Sequence, residues 1–191
     1  MHSGMCSAGN RLCGYSIRNG AVQDCSTNSP NQPSIWGRSG HTSFSGISHI
    51  QNVTGASDGA PGSYNILVGN GGNVLTGGSG RRNLLVAGAT ASQLYGSGDD
   101  DILIGGTTAY DTEANMASLQ AIMAYWTGAD DFATRVNNLT TGNGVPLLDA
   151  TMVQSNGGGN TLQGGGGLDL FFGSLGLDIH DKQDGEVFIE V

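Results

Sequence analysis

The acidic side chains of this sequence are the groups that could take part in catalysis or bind cations. The chain has 191 residues, with 16 acidic against 7 basic side chains and a formal net charge of −9. Its acids cluster as Asp99-Asp100-Asp101 and Asp130-Asp131. Paired carboxylates can serve acid–base catalysis, whereas an acidic excess suits cation binding or a soluble surface. Because the charge offers no basic patch, we expect neither nucleic acid nor an anionic membrane surface as a partner.

Other catalytic arrangements are missing from the sequence. The four histidines, His2, His41, His49 and His180, are accompanied by no Gly-x-Ser-x-Gly elbow and no histidine pair of a zinc protease. The glycine-rich segments lack the lysine and the following helix of a phosphate-binding loop. We therefore predict that the chain is not an enzyme and has no catalytic residue.

Three cysteines, Cys6, Cys13 and Cys25, all lie near the start of the chain. Their odd number fits no two-plus-two zinc pattern, and both a single disulfide (Cys6–Cys13 or Cys13–Cys25) and three inert thiols stay open. No segment approaches the ~18 continuous apolar residues of a membrane span. The first residues do not resemble a secretory signal peptide, so we expect export by another route or a longer parent chain.

A nine-residue repeat organises much of the chain. Glycine supplies 34 residues without a three-residue period, which excludes a collagen helix. Each copy has a small polar residue, one spacer and then a large apolar residue, and the copies step by 8, 10, 9 and 9 residues in a first block and by 9 and 9 in a second. The polar residues are Asn65, Asn73, Asn83, Ser92, Asp101, Asn160, Asp169 and Asp178.

This repeat predicts short stacked strands. Because neighbouring side chains alternate across a strand, each copy should send its apolar residue inward, and stacking should join these residues into one ladder. The glycines should permit sharp turns at positive φ. The expected ladder consists of Leu67, Leu75, Leu85, Leu94, Leu103, Leu162 and Phe171, with His180 at the same position of the last copy.

Three segments resemble the glycine-rich calcium-binding nonapeptide of RTX (haemolysin-type) proteins, Gly-Gly-x-Gly-x-Asp-x-U-x with U a large apolar residue. They are GGSG at 77–80, GSGDDDILIGG at 96–106 and GGGGLDLF at 164–171. The resemblance implies a mainly β fold, a parallel β-roll or β-solenoid, with Ca²⁺ held between successive coils by aspartates and turn carbonyls. It also implies an extracellular or cell-surface location.

The candidate calcium ligands follow from that resemblance. They are Asp99, Asp100, Asp101, Asn83, Asn160, Asp169 and Asp178. Since alternate copies supply one ion, Asn83 should lie near Asp101 and Asn160 near Asp178. Asparagine offers one neutral oxygen and Arg81-Arg82 adds positive charge to one turn, so these turns should bind weakly or not at all. A metal-free ladder of Asx turns is the alternative.

An insert with helical periodicity separates the two repeat blocks. One helix face over about 111–126 and a second over 130–138 are predicted by apolar spacing; their residues are Met116, Leu119, Ile122, Met123, Trp126, Phe132, Val136 and Leu139. We expect this amphipathic helix pair to pack over the open end or the side of the stack. A partner-binding groove at Met123, Tyr125 and Trp126 is the alternative.

The chain from residue 96 onward also resembles a C-terminal module of large planctomycete-type surface proteins. The resemblance is carried by DILIGGTTAYD at 101–111, AIMAYW at 121–126 and RVNNL at 135–139, and it implies no particular activity. We predict a poorly ordered segment at 1–44, a first block at 45–106, the helical insert with return strands at 107–155, and a second block with a C-terminal cap at 156–191.

The expected function is that of a non-catalytic calcium-binding or calcium-stabilised module of an exported or cell-surface protein. Calcium ions are the expected ligand, and other surface proteins or matrix are candidate partners. Two alternatives stay open. The first is a metal-independent adhesion or assembly module acting through the helical insert or an exposed coil edge, and the second is the export tail of a larger secreted hydrolase.

Overall fold

The computed structural model describes residues 34–38, 41–47, 52–55, 57 and 62–191. This part of the chain is mainly β with two helices, which confirms the predicted fold class at that level. The chain up to the end of the first block contains β1 (Ser34–Arg38), β2 (His41–Ile47), β3 (Asn52–Thr54), β4 (Tyr64–Gly69), β5 (Val74–Thr76), β6 (Arg82–Val86), β7 (Gln93–Ser97) and β8 (Ile102–Ile104). The insert contains β9 (Gly106–Thr108), a 3-10 turn (Glu113–Asn115), α1 (Met116–Trp126), α2 (Phe132–Thr141) and β10 (Val153–Ser155). The second block contains β11 (Thr161–Gly165), β12 (Leu170–Gly173), β13 (Ile179–His180) and β14 (Val187–Glu190).

Two parallel sheets share the repeat strands alternately. A seven-stranded sheet has the order β1-β2-β4-β6-β8-β12-β14, in which only β1 is antiparallel to its neighbour. A five-stranded parallel sheet has the order β13-β11-β7-β5-β3. From β3 to β8, and again from β11 to β14, each strand along the chain therefore lies in the other sheet from the strand before it.

The predicted ladder forms the core between the two sheets. Its seven residues, Leu67, Leu75, Leu85, Leu94, Leu103, Leu162 and Phe171, have no exposed surface and belong to one apolar cluster. Each buried side chain of this size contributes roughly 1.5–3 kcal/mol. His180 pairs in register with Leu162 as expected, but at the end of the sheet it is half-buried, with its ring centroid 4.9 Å from that of Phe188.

The insert leaves the stack without interrupting it. Leu67, Leu85 and Leu103 pair in sequence at a step of 18 residues. The next pair, Leu103 with Phe171, has a step of 68, so 50 additional residues lie between two adjacent strands. The antiparallel pair β9–β10 closes the base of this excursion.

The helix pair packs on the side of the stack. The predicted apolar faces of α1 and α2 lie against the outer face of the seven-stranded sheet, in a cluster with Ile66, Val86, Ile102 and Phe172. Helix α1 begins later than predicted, at Met116, after the 3-10 turn. The alternative of a binding groove is wrong at two of its three residues, since Met123 and Trp126 have no exposed surface.

The strands of the two sheets differ in burial and in residue type because the insert covers the outer face of the seven-stranded sheet only. Strands β4, β8 and β12 are buried along their whole length, as strands covered on both faces are. Strands β5, β7 and β11 expose or half-expose the residues on either side of their inward leucine. This difference is visible in the sequence of the repeat. Strands of the covered sheet read Ile-Leu-Val or Ile-Leu-Ile, whereas strands of the other sheet read Val-Leu-Thr or Thr-Leu-Gln. The nine-residue period alone does not reveal it.

Strand β1 and part of β2 lie within 1–44, for which composition predicted loose order. The remainder of that segment, including Cys6, Cys13 and Cys25, lies outside the described residues. None of the helices in the described part of the chain has the length and hydropathy that a membrane span requires.

Candidate functional site

The polar residues of the repeat stack into two buried columns. The carboxylate column runs along the seven-stranded sheet and consists of Asn65, Asn83, Asp101, Asp169 and Glu186. The amide column runs along the five-stranded sheet and consists of Asn73, Ser92, Asn160 and Asp178. Each of these residues is between 0% and 6% exposed. Buried polar groups at this density must be hydrogen-bonded or neutralised.

A glycine in or just after the preceding strand makes room for most of the column side chains. A Cβ on Gly96 would lie 2.3 Å from Asp101 Oδ2, and one on Gly77 would lie 2.5 Å from Asn83 Nδ2. Neither glycine has a positive φ. The expectation that repeat glycines provide positive φ is met by turn glycines such as Gly167 (φ +103°), whereas the strand-end glycines are required because the column side chain occupies the Cβ position.

The amide column satisfies its own hydrogen bonds. The backbone N–H of Asn73 donates to Ser92 Oγ (3.1 Å), and the backbone N–H of Ser92 donates to Asn160 Oδ1 (3.0 Å). The backbone N and the Nδ2 of Asn160 donate to Asp178 Oδ1 at 2.8 and 2.9 Å, so the predicted proximity of these two residues is confirmed. Asp178 Oδ2 accepts from the Ser174 amide at 2.9 Å. Both oxygens of the single acid in this column therefore have donors.

The carboxylate column begins in the same way. Asn65 Nδ2 donates to Asn83 Oδ1 (2.7 Å), and Asn83 donates to Asp101 Oδ1 from its backbone N (2.6 Å) and its Nδ2 (2.9 Å). The predicted proximity of Asn83 and Asp101 is thus confirmed. The Asp101 amide then donates to Asp169 Oδ1 at 2.7 Å. The second carboxylate oxygens, Asp101 Oδ2 and Asp169 Oδ2, are buried without a hydrogen-bond partner.

Consecutive acids distinguish this end of the carboxylate column. Burial, reinforced by the neighbouring Asp169 carboxylate, raises the pKa of Asp101 well above its usual value. Burial and the adjacent Glu186 carboxyl group raise the pKa of Asp169 to about 8, against the opposing hydrogen bond from the Asp101 amide. A buried carboxylate without a counter-charge is costly, so the chemistry open to this row is the uptake of protons or of a cation.

Glu186 is a column residue that sequence reasoning missed. The Val187 amide donates to the Asp169 carbonyl at 3.1 Å, which places Glu186 level with Asp169. Its sequence, Glu-Val-Phe-Ile, repeats the pattern of Asp-Leu-Phe-Phe at 169–172, an acid followed by a spacer and an inward aromatic residue. That likeness could have identified it, although the segment lacks the preceding glycines.

Asp100 lies on the other side of the same turn, facing the helices. Its Oδ2 forms ion pairs with Arg135 and, at 3.4 Å, with Arg82, and its Oδ1 accepts from the Leu168 amide at 2.9 Å. Burial raises the pKa of Asp100, but these hydrogen bonds and guanidinium charges outweigh it and hold the pKa below its usual value. Arg82, in β6, therefore balances a carboxylate in the turn before β8, the neighbouring strand of the sheet. Asp99, in the same turn, is half-buried.

The donor set fits a hard cation in type. Ca²⁺ binds carboxylate and carbonyl oxygens, usually six to eight of them, and two partnerless carboxylate oxygens lie in this column. The Gly164 carbonyl shares the space over Gly96 with Asp101 Oδ2. Within the described ranges, no three His, Cys, Asp or Glu residues form a group that could hold a metal ion.

Comparison of the chain with protein-family models, with curated proteins and with solved structures gave no match.

Proposed function

We propose that this chain is a non-catalytic structural module, a parallel β-roll of an exported or cell-surface protein, which is stabilised by Ca²⁺ at the acidic end of its carboxylate column. The proposed roll is supported by the alternation of strands between two largely parallel sheets and by steps of 18 residues in the seven-stranded sheet and 18 or 19 residues in the five-stranded sheet between paired repeat strands. The likeness of the repeat to the RTX nonapeptide supports the choice of ion.

The observation that carries this proposal is the row of buried acids. Asp101 and Asp169 each keep one buried carboxylate oxygen without a donor, and Glu186 is a further acid next to Asp169. When bound, a divalent cation would supply the positive charge that these groups lack. Asp101 and Asp169 would hold it, and their Oδ1 atoms would stay engaged with backbone donors. Because the site needs folded turns, binding would stabilise the fold.

Thermal and urea unfolding of the full chain, in EDTA and across a millimolar Ca²⁺ titration, tests the proposal. We expect Ca²⁺ to raise the free energy of unfolding by about 2.7 kcal/mol at a concentration about 100 times Kd. Asp169→Asn should remove this response, whereas Asp184→Asn, which deletes the same charge at an exposed position, should retain it. Equal stability of the wild-type chain in EDTA and in Ca²⁺ would overturn the proposal.

A metal-independent assembly module is the second candidate. It is favoured by the complete hydrogen bonding of the amide column and by exposed apolar residues at the coil edge formed by β13, where Leu175, Leu177 and Ile179 are 54%, 60% and 68% exposed. Sedimentation of the full chain against Ile179→Lys distinguishes it. Self-association that this variant abolishes, at equal Ca²⁺ and EDTA stability, would support assembly.

A further inference from the structure

The turn before β8 contains two adjacent aspartates whose carboxylates contact different parts of the molecule. Asp101 points into the carboxylate column, where Asn83 donates to it. Asp100 points towards the helical insert and pairs with Arg135 of α2. Neighbouring residues of an extended chain face opposite sides, so the turn joins the column to the insert through one peptide bond.

Asp100 bonds to four separate segments, one of them β6 through Arg82 at 3.4 Å. Its Oδ2 pairs with Arg135, and its Oδ1 accepts from the Leu168 amide at 2.9 Å. Its backbone carbonyl accepts from Trp126 Nε1, at the end of α1, at 2.7 Å. The residue therefore connects both helices to the turn before β12, although Leu168 lies 68 residues further along the chain.

Arg135 is held firmly in this position. It is 2% exposed, its Cζ lies 4.5 Å from the centroid of the Trp126 ring, and its Nη1 donates to the Trp126 carbonyl at 2.9 Å. Arg82 donates to the same carbonyl and pairs with Asp100. A buried guanidinium that loses its carboxylate is left as an uncompensated charge, so breaking this pair is strongly unfavourable.

Two hydrogen bonds therefore connect the turn that contains Asp101 with the turn that contains Asp169. On the column side, the Asp101 amide donates to Asp169 Oδ1 at 2.7 Å. On the helix side, the Leu168 amide donates to Asp100 Oδ1. Asp100, which pairs with Arg135, and Asp101 therefore both connect the turn before β8 to the turn that contains Asp169.

We propose that the helical insert is a latch on these two turns: Arg135, docked on Asp100, is a positioning residue that sets Asp101 and Asp169 for cation binding, and cation binding in turn strengthens docking of the insert. The inference rests on the proposed calcium function for its ligand. Reciprocity follows because a coupling free energy acts equally on both events.

Calcium affinity and the environment of Trp126 test the latch in the full chain. The chain has two tryptophans, Trp36 and Trp126, so a Trp36→Phe background reports on Trp126 alone. We expect Ca²⁺ to change its emission, and Arg135→Gln to weaken Ca²⁺ binding about tenfold and to diminish that change. Lys182→Gln, which removes the same charge from an exposed side chain, should bind as the wild type does.

The outcomes separate the latch from the calcium proposal. If the wild type binds Ca²⁺ and folded Arg135→Gln binds within twofold of it, the latch is overturned and the calcium proposal stands; where Arg135→Gln does not fold, Asp100→Asn replaces it. If the wild type binds no Ca²⁺, the calcium proposal fails. A urea double-mutant cycle between Asp101→Asn and Arg135→Gln then decides, since additive effects overturn the latch and non-additive effects support it.

Discussion

The two polar columns are built from one repeat, yet they differ in how their charge is balanced. In both, a backbone N–H of one column residue donates to a side-chain oxygen of the next residue in the column. The amide column ends in a single acid whose two oxygens both accept hydrogen bonds. The carboxylate column places Asp101, Asp169 and Glu186 in succession, and two of their oxygens have no donor.

The difference follows from what each side chain can offer its neighbour. An asparagine amide has both donor and acceptor, so it can continue a column indefinitely, whereas an ionised carboxylate only accepts. Asn83 donates to Asp101, but an ionised Asp101 has no side-chain hydrogen to donate to Asp169. One backbone geometry thus supports either a closed hydrogen-bond chain or a charged site, depending on the residue at one position of the repeat.

The largest expected difference between the two columns is in how the free energy of unfolding responds to pH. Asp169 has its pKa raised to about 8 in the folded chain, so between roughly pH 4 and 8 the folded chain holds a proton that the unfolded chain has released. In EDTA the free energy of unfolding should therefore fall as pH rises, by up to about 1 kcal/mol per pH unit. Urea unfolding at several pH values measures it.

The matched variants for this experiment are Asp169→Asn and Asp178→Asn. The first should make the pH profile shallower, because it removes one of the two column acids whose pKa is raised. The second leaves both of those acids in place, so the fall in stability with rising pH should remain. A wild-type chain that is more stable at the alkaline end would contradict the assignment of buried acids with raised pKa values to the carboxylate column.

A second test concerns the space that a glycine leaves for the column. Gly96→Ala would place a Cβ 2.3 Å from Asp101 Oδ2 and 2.5 Å from the Gly164 carbonyl, and relieving such overlap should cost about 3 kcal/mol. Gly98→Ala in the next turn meets nothing within 4 Å and serves as the control. Comparable urea midpoints for the two variants would show that the column does not need this space.

A third effect is expected at the end of the amide column. In Asp178→Asn, one accepting oxygen becomes an NH₂ group that faces either the Ser174 amide or the donors of Asn160. An unsatisfied buried donor pair of this kind should destabilise the fold by about 2 kcal/mol. Calorimetric unfolding at neutral pH measures the loss, and an unchanged transition would argue that these hydrogen bonds do not contribute.

The smallest effect has the opposite sign. Asp101→Asn keeps Oδ1 for Asn83 and replaces the partnerless Oδ2 with an NH₂ group beside the Gly164 carbonyl. In EDTA at neutral pH we expect stabilisation by about 1 kcal/mol, since a buried acid is removed and a donor is added. Destabilisation equal to that of Asp178→Asn would show that the two columns are balanced alike.

Much of this arrangement could be predicted from local patterns. A strand alternates its side chains and a stack repeats its units, so the leucine ladder and the neighbours Asn83–Asp101 and Asn160–Asp178 follow from spacing. The apolar faces of α1 and α2 follow from helical periodicity in the same way. Glu186 was missed because its copy lacks the glycines used to recognise the repeat.

Local sequence patterns are sufficient to predict the period of the repeat, the residues that face the core and the amphipathic helices, because each of these depends on residues a few positions apart. The three-dimensional structure was needed to show that the 50-residue insert covers the outer face of the seven-stranded sheet. It was also needed to show that Asp100 contacts the helices while Asp101 belongs to the column. Those outcomes depend on contacts between residues up to 68 positions apart, and they are settled by which apolar surface and which buried charge the distant segment can cover.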